Sequence, residues 1–318
     1  MGGTIAGAAA SSLDSTGYSA ATTTVDELIG QVPELSGVAI VSGEQFAQID
    51  SSNLTDDLLV GLARRVTAIL ADDSVDAVVI THGTDTLEET AYFLHLTVKT
   101  RKPIVVVGSM RPATALSADG PRNLYTAVAV AASQSAIGQG VLVVMNDEIH
   151  TARDVTKSSS LRVQAFESPY GPLGSVIDGR VILNRSVTRP HTFDTEFSLD
   201  SINSLPSAAI VVSHSGIDDA IVRALHGYAI VVVAGYGNGT VPSRLVAALA
   251  ELAESGTLIV RATRTGSGHV TLVGASGEFV NQWVAVDDQN PQRARILASI
   301  GLAHSKDRAA IQQYFYTY

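Results

Sequence analysis

The run Ile80-Thr81-His82-Gly83-Thr84-Asp85-Thr86-Leu87-Glu88-Glu89-Thr90 sets a hydroxyl beside a carboxylate. It follows the apolar residues Ala77-Val78-Val79-Ile80 and precedes the helix-like Ala91-Tyr92-Phe93-Leu94. Thr84 and Asp85 therefore fall where a strand gives way to a helix, and in open α/β sheets ligands bind at that edge, beyond the carboxyl ends of the strands. A second hydroxyl, Thr4, lies in the glycine-rich run Gly2-Gly3-Thr4-Ile5-Ala6-Gly7. A threonine hydroxyl is a weak nucleophile at neutral pH and needs a neighbouring base or polariser. The glycines free backbone N–H groups that can stabilise an oxyanion, and Tyr18, in the polar stretch that follows, is a candidate hydrogen-bond partner for Thr4. Asp85 is suited to hold a substrate ammonium. Lys157, in Arg153-Asp154-Val155-Thr156-Lys157, can act as a base if burial lowers its pKa. Two loop threonines, an acid and a lysine suggest nucleophilic hydrolysis. Each feature also has a plainer reading. Asp85-x-x-Glu88 fits a capping box, Gly2–Gly7 fits a tight packing turn, and most lysines are solvated. The residues alone leave these alternatives open.

Composition narrows the chemistry. The chain has 318 residues and no cysteine, so a disulfide, a thiolate nucleophile and a cysteine-based metal site are ruled out. Its eight histidines (82, 95, 150, 191, 214, 226, 269 and 304) are scattered without metal-ligand spacing. Neither metal nor cofactor is expected. A net charge of −10 argues against nucleic acid as the main partner, since phosphate neutralisation needs clustered lysine and arginine. No apolar run reaches the ~18 residues of a membrane span. A Gly-x-Ser-x-Gly elbow and a Gly-Lys dipeptide are both absent, which argues against an α/β-hydrolase serine and a P-loop. Gly235-Tyr236-Gly237-Asn238-Gly239 lacks the third glycine position of a dinucleotide fingerprint.

The hydroxyls and their partners need a scaffold. Short β-branched runs at 75–80, 103–107, 140–145, 208–212, 229–234 and 257–260 have the length of buried strands. Between them lie helical patterns. Residues 54–70 repeat apolar positions at helical spacing, and Pro121, Pro242 and Pro291 each suit a first helical turn. Alternation of strand and helix predicts an α/β fold: a larger N-terminal domain over 1–184 with a mixed, mostly parallel sheet, and a smaller parallel α/β domain over 207–318. The polar, aperiodic stretch 185–206 reads as a linker.

Taken together, Gly2–Gly7 and Ile80–Phe93 resemble the two signature motifs of bacterial type II L-asparaginases and glutaminase-asparaginases. Val107-Gly108-Ser109-Met110-Arg111-Pro112, Ser117-Ala118-Asp119-Gly120-Pro121, Val143–Asp147, Arg153–Lys157, Gly171-Pro172-Leu173-Gly174 and Gly237-Asn238-Gly239 extend the resemblance along the whole chain. It implies hydrolysis of L-asparagine to L-aspartate and ammonia, without metal or cofactor, through a threonine ester. L-Glutamine is the alternative substrate, and an amino-acid-binding homologue without turnover is the alternative outside catalysis. Thr4 would be the nucleophile, assisted by Tyr18, and Thr84, Asp85 and Lys157 would form a second hydrogen-bonded group. Ser51 would take the substrate α-carboxylate, Asp85 its ammonium, and the backbone of Ser109 its carboxamide. Asn238 would come from a neighbouring subunit of a tetramer built as a pair of dimers. The resemblance also suggests a periplasmic or secreted protein, although the chain as given opens without a basic n-region or apolar h-region.

Three departures from the family pattern carry expectations of their own. Met1 stands where the family has a strand, which leaves the Thr4 loop without its anchor. Ser52 stands where Glu or Gln usually contacts the substrate amino group, which implies weaker binding or a shifted preference between the two amides. Glu278 is the candidate for the acid that the family places near the nucleophile from the partner subunit.

Overall fold

Ile104-Val105-Val106-Val107 and Val141-Leu142-Val143-Val144-Met145 are apolar at every position, a pattern suited to strands covered on both faces. In the computed structural model, which describes residues 1–14, 16–273 and 282–318, both runs are fully buried strands. The chain forms two units, Met1–Glu196 and Phe197–Tyr318.

The first unit begins with a small hairpin, β1 (Ala8–Ala9) and β2 (Tyr18–Ser19), followed by helices α1 (Val25–Gly30) and α2 (Asp56–Leu70). Next come β3 (Val78–Thr81), α3 (Leu87–Thr97), β4 (Ile104–Val107), α4 (Gly120–Ala131) and β5 (Val141–Met145). The strands β6 (Glu148–Thr151), β7 (Thr156–Lys157), β8 (Phe166–Glu167), β9 (Gly174–Ile177) and β10 (Arg180–Leu183) complete it. Its main sheet has the order β10-β9-β6-β5-β4-β3. β3, β4 and β5 pair in parallel, whereas β5/β6, β6/β9 and β9/β10 are antiparallel. The sheet is thus mixed, as expected. Its antiparallel half extends further than strand–helix alternation implies, because the turns after Met145 and Ile177 reverse the chain at once. Asn146, Asp147 and Asp178 adopt positive φ there, beside Gly179, as tight hairpin turns require. Val105 and Val107 of β4 pack with Ala127 and Val130 of α4. Alternation sends Ile104 and Val106 the other way, and they too are buried, so the parallel half holds its loops on a rigid frame.

The second unit carries β11 (Ala208–Val212), α5 (Ala220–Arg223), β12 (Ile230–Gly235), α6 (Ser243–Glu254), β13 (Leu258–Thr263), β14 (Val284–Ala285), α7 (Pro291–His304) and α8 (Arg308–Thr317). Among the described residues its four strands run in the order β11-β12-β13-β14, all parallel. Leu245, Ala248, Leu249 and Leu252 of α6 meet Val231 and Val233 of β12 in its core. The polar stretch 185–206 is not loose chain. It holds two 3-10 turns, Thr192–Asp194 and Leu199–Ser201, and buries His191, Thr192 and Thr195 as well as Phe197 and Ile202. Thr195 Oγ1 donates to the Leu96 carbonyl, 2.7 Å, so polarity here marks satisfied buried groups rather than solvent.

The first unit also buries histidines. His82 and His150 are each 1% exposed, and burial pushes both pKa values down to about 4. A histidine whose folded pKa lies below its unfolded value of about 6.5 leaves stability intact above that pH and removes it as pH falls towards about 4. Each fall is worth on the order of 3 kcal/mol once the folded pKa is passed. The urea midpoint of unfolding should therefore drop between pH 7 and pH 5, and His150→Gln should flatten that drop. Equal midpoints at the two pH values would contradict it.

Candidate active site

Thr4 opens a 3-10 turn, Thr4–Ala6, that is closed by the Gly7 N–H donating to the Thr4 carbonyl, 2.8 Å. The chain then enters the β1/β2 hairpin, in which Ala9 faces Tyr18. That register folds Tyr18 back over the turn, and its phenol oxygen lies 2.6 Å from Thr4 Oγ1. Met1–Gly3 supplies an anchor for the loop after all. Gly2 bridges Ile49 in parallel, the Gly3 N–H donates to the Ile49 carbonyl, and the Met1 ammonium donates to the Thr81 carbonyl.

The Thr84 loop joins β3 to α3. Ser51 buttresses it: the Asp85 N–H donates to Ser51 Oγ, 3.2 Å, and Thr86 Oγ1 donates to the Ser51 carbonyl, 2.9 Å. Lys157 reaches it from β7 and donates through Nζ to Thr84 Oγ1, 2.9 Å, and to Asp85 Oδ1, 2.7 Å. Thr84 is buried, and the Asp85 side chain is 56% exposed. The carboxylate therefore meets solvent while the hydroxyl beside it does not. The capping-box reading of Asp85 and Glu88 is not realised. Helix α3 has Thr86 at its N-cap with no side-chain cap bond, and Glu88 turns away to accept the Lys157 backbone N–H, 3.0 Å.

Two glycines bring the loops together. A Cβ on Gly3, whose φ is +80°, would lie 2.1 Å from the Gly83 Cα, and a Cβ on Gly83 would lie 2.5 Å from Ser51 Oγ. Thr4 and Thr84 each follow one of these touching glycines, so their loops meet backbone to backbone. Gly3→Ala should cost at least about 2 kcal/mol, from the positive φ and the contact combined, and should remove activity by parting the loops. An unchanged melting temperature in that variant would show that the contact is not needed.

Ser109, just past β4, is fully buried and donates through Oγ to the Arg111 carbonyl, 2.8 Å. Its loop is fixed by Asp119, whose two oxygens accept the Met110 and Arg111 N–H groups, both 2.9 Å. Ser52 is exposed, and its N–H donates to Asp50 Oδ1. Asn238 lies in the second unit on an exposed turn between Gly237 and Gly239, where its side chain pairs with Thr271. Glu278 lies outside the described residues.

Sequence reasoning missed Glu88, Asp119 and His82 as supports of this site. The buried His82 ring bridges the Gly83 carbonyl, 2.7 Å from Nδ1, and Thr90 Oγ1, 2.9 Å from Nε2. Asp119 stands at the N-cap of α4 without a side-chain cap bond, and its carboxylate goes instead to the folded path of 108–111.

Residues 1–189 match the family described as "Asparaginase, N-terminal", and residues 208–315 match the "Glutaminase/Asparaginase C-terminal domain". The chain is 48% identical over 320 residues to a glutaminase-asparaginase of Pseudomonas fluorescens biotype A, a match covering 100% of this chain and 88% of that protein. L-asparaginase 2 of Escherichia coli (strain K12) is 43% identical over 320 residues, covering 100% and 91%. The crystal structure of a probable cytoplasmic L-asparaginase from Campylobacter jejuni superposes with a TM-score of 0.96 at 42% identity, covering 100% of this chain and 98% of that one.

Proposed function

The chain belongs to the asparaginase family, and from that premise we propose that it hydrolyses the side-chain amide of L-asparagine to L-aspartate and ammonia with Thr4 as nucleophile. It is an amidohydrolase by family; the assignment of roles rests on the meeting of the Thr4 and Thr84 loops at Gly3 and Gly83. Thr4 Oγ1 attacks the amide carbon as its proton passes to the Tyr18 oxygen, already within hydrogen-bond reach, while the phenol's own proton passes on to the amide nitrogen. Ammonia leaves with that proton, and the aspartyl ester on Thr4 remains. The Thr84–Lys157–Asp85 group flanks the same carbon and activates the water that cleaves the ester. Uncatalysed amide hydrolysis is very slow, so positioning and oxyanion stabilisation supply most of the acceleration. Ser51, Asp85 and the Ser109 backbone orient the amino acid, and Asn238 and Glu278 complete the site from a neighbouring subunit of a tetramer.

Glutamine is the second reading. It is favoured by the short, exposed Ser52 and by the 48% identity to a glutaminase-asparaginase. One methylene is worth only about 1–3 kcal/mol in a plain pocket. Ammonia release from both amides should therefore give kcat/KM values within about 200-fold of one another, with asparagine ahead. No ammonia from either amide would reject the proposal.

A further inference from the structure

A second group of side chains in the first unit has the arrangement of a nucleophile, a base and an orienting acid. Ser168 Oγ lies 3.0 Å from His150 Nδ1, and Glu148 Oε2 lies 3.3 Å from His150 Nε2 on the other side of the ring. A carboxylate only accepts hydrogen bonds. It therefore favours the tautomer with the proton on Nε2, which leaves Nδ1 to accept from the serine. The Nε2–Glu148 contact is within ion-pair reach without the alignment of a hydrogen bond, and such contacts commonly tighten only when a reactant is bound. The carboxylate is itself held. Gln164 Nε2 donates to Glu148 Oε2, 2.7 Å, and Gln164 Oε1 accepts from Asn146 Nδ2, 2.5 Å. Burial keeps the imidazole neutral, while Asp154 and Glu167 favour its protonated form, so the imidazolium made by proton transfer has acids around it. The base is buried, whereas Ser168 is only partly so and stands among the exposed Glu167, Pro169 and Tyr170. A nucleophile open to solvent with its base behind it is the order that acyl transfer needs.

We infer that Ser168, His150 and Glu148 form a second nucleophilic site, separate from Thr4 and Thr84, at which the Ser168 hydroxyl takes an acyl group from activated esters. The bond from Ser168 Oγ to the acyl carbon forms as the hydroxyl proton passes to His150 Nδ1. The bond from that carbon to the leaving oxygen then breaks, and the leaving group takes the proton from the imidazolium or departs as its anion. The products are acyl-Ser168 and an alcohol or phenol. A general base alone contributes about 10²–10⁴-fold. That range suits aryl esters, whose leaving group departs unaided, rather than amides.

The test uses p-nitrophenyl acetate on the full chain carrying Thr4→Val, which removes the proposed primary nucleophile. The readouts are p-nitrophenolate release and peptide mapping by mass spectrometry. Acetyl should appear on Ser168 at least about 10²-fold faster than on Ser133, a serine of the same partial burial whose hydroxyl meets only the hydroxyl and backbone N–H of Ser135. Ser168→Ala should remove that adduct, His150→Gln should slow it by about 10²-fold or more, and Glu148→Gln should slow it in a protein of unchanged circular dichroism. With Thr4 intact, asparagine hydrolysis should be the same in Ser168→Ala as in the parent, so failure of this site and failure of the Thr4 assignment are separately visible. Acetylation confined to lysines, or equal rates at Ser168 and Ser133, would overturn the inference.

Discussion

Thr4→Val is expected to end ammonia release from asparagine while the protein stays folded. The substitution keeps the branched shape of a side chain that is 6% exposed and removes only the oxygen that lies 2.6 Å from Tyr18 Oη. Losing one such hydrogen bond costs about 1 kcal/mol of stability, too little to unfold the domain. Losing the nucleophile leaves only what binding and oxyanion stabilisation supply, and in hydrolases that use an activated hydroxyl the fall in kcat is about 10⁴–10⁶-fold. Thr4→Ser should recover part of the rate because it restores the oxygen. Steady-state kinetics beside a thermal melt decide the matter. Turnover close to that of the parent in Thr4→Val would remove Thr4 from the chemistry and transfer the question to Thr84.

Lys157→Met should be the second most damaging change. Nζ is the donor that ties Thr84 Oγ1 to Asp85 Oδ1, and methionine fills the same space without a charge or a donor. Asp85 is more than half exposed, so water takes over its solvation and the cost in stability stays small. The buried Thr84 hydroxyl loses its donor. The kcat should fall about 10²–10⁴-fold, the usual worth of a proton-transfer group. The division between kinetic constants separates the possible roles. A raised KM with kcat preserved would make the lysine a binding contact only, whereas equal losses in kcat and kcat/KM place it in the transition state.

Much of this was legible before folding. The runs Ile104–Val107 and Val141–Met145 are strands because nothing polar interrupts them; the Thr84 loop stands out because hydroxyls and a carboxylate crowd where an apolar run stops, and the Thr4 loop because glycines flank its hydroxyl. Other stretches take on a different character in the fold, for a physical reason. Asp85-x-x-Glu88 has the spacing of a capping box, yet Lys157 competes for both acids, one through its ammonium and the other through its backbone N–H. The lysine arrives from β7, far along the chain, and local spacing carries no record of it. The stretch 185–206 reads as a linker from its polarity, and the division between the two units falls inside it, but that polarity does not report exposure where groups such as Thr195 find buried acceptors.

The sequence by itself determined which atoms are available: two threonine hydroxyls, a tyrosine, an acid and a lysine, and no thiol. It also determined that the two threonines stand on loops of an α/β frame, because residue type and period are local properties. Only the tertiary structure decided which of them meet. Gly3 against Gly83, and Lys157 set between Thr84 and Asp85, are contacts between distant segments. The register of the strands and the absence of a Cβ at the crossing select them, and no window of the chain contains both partners.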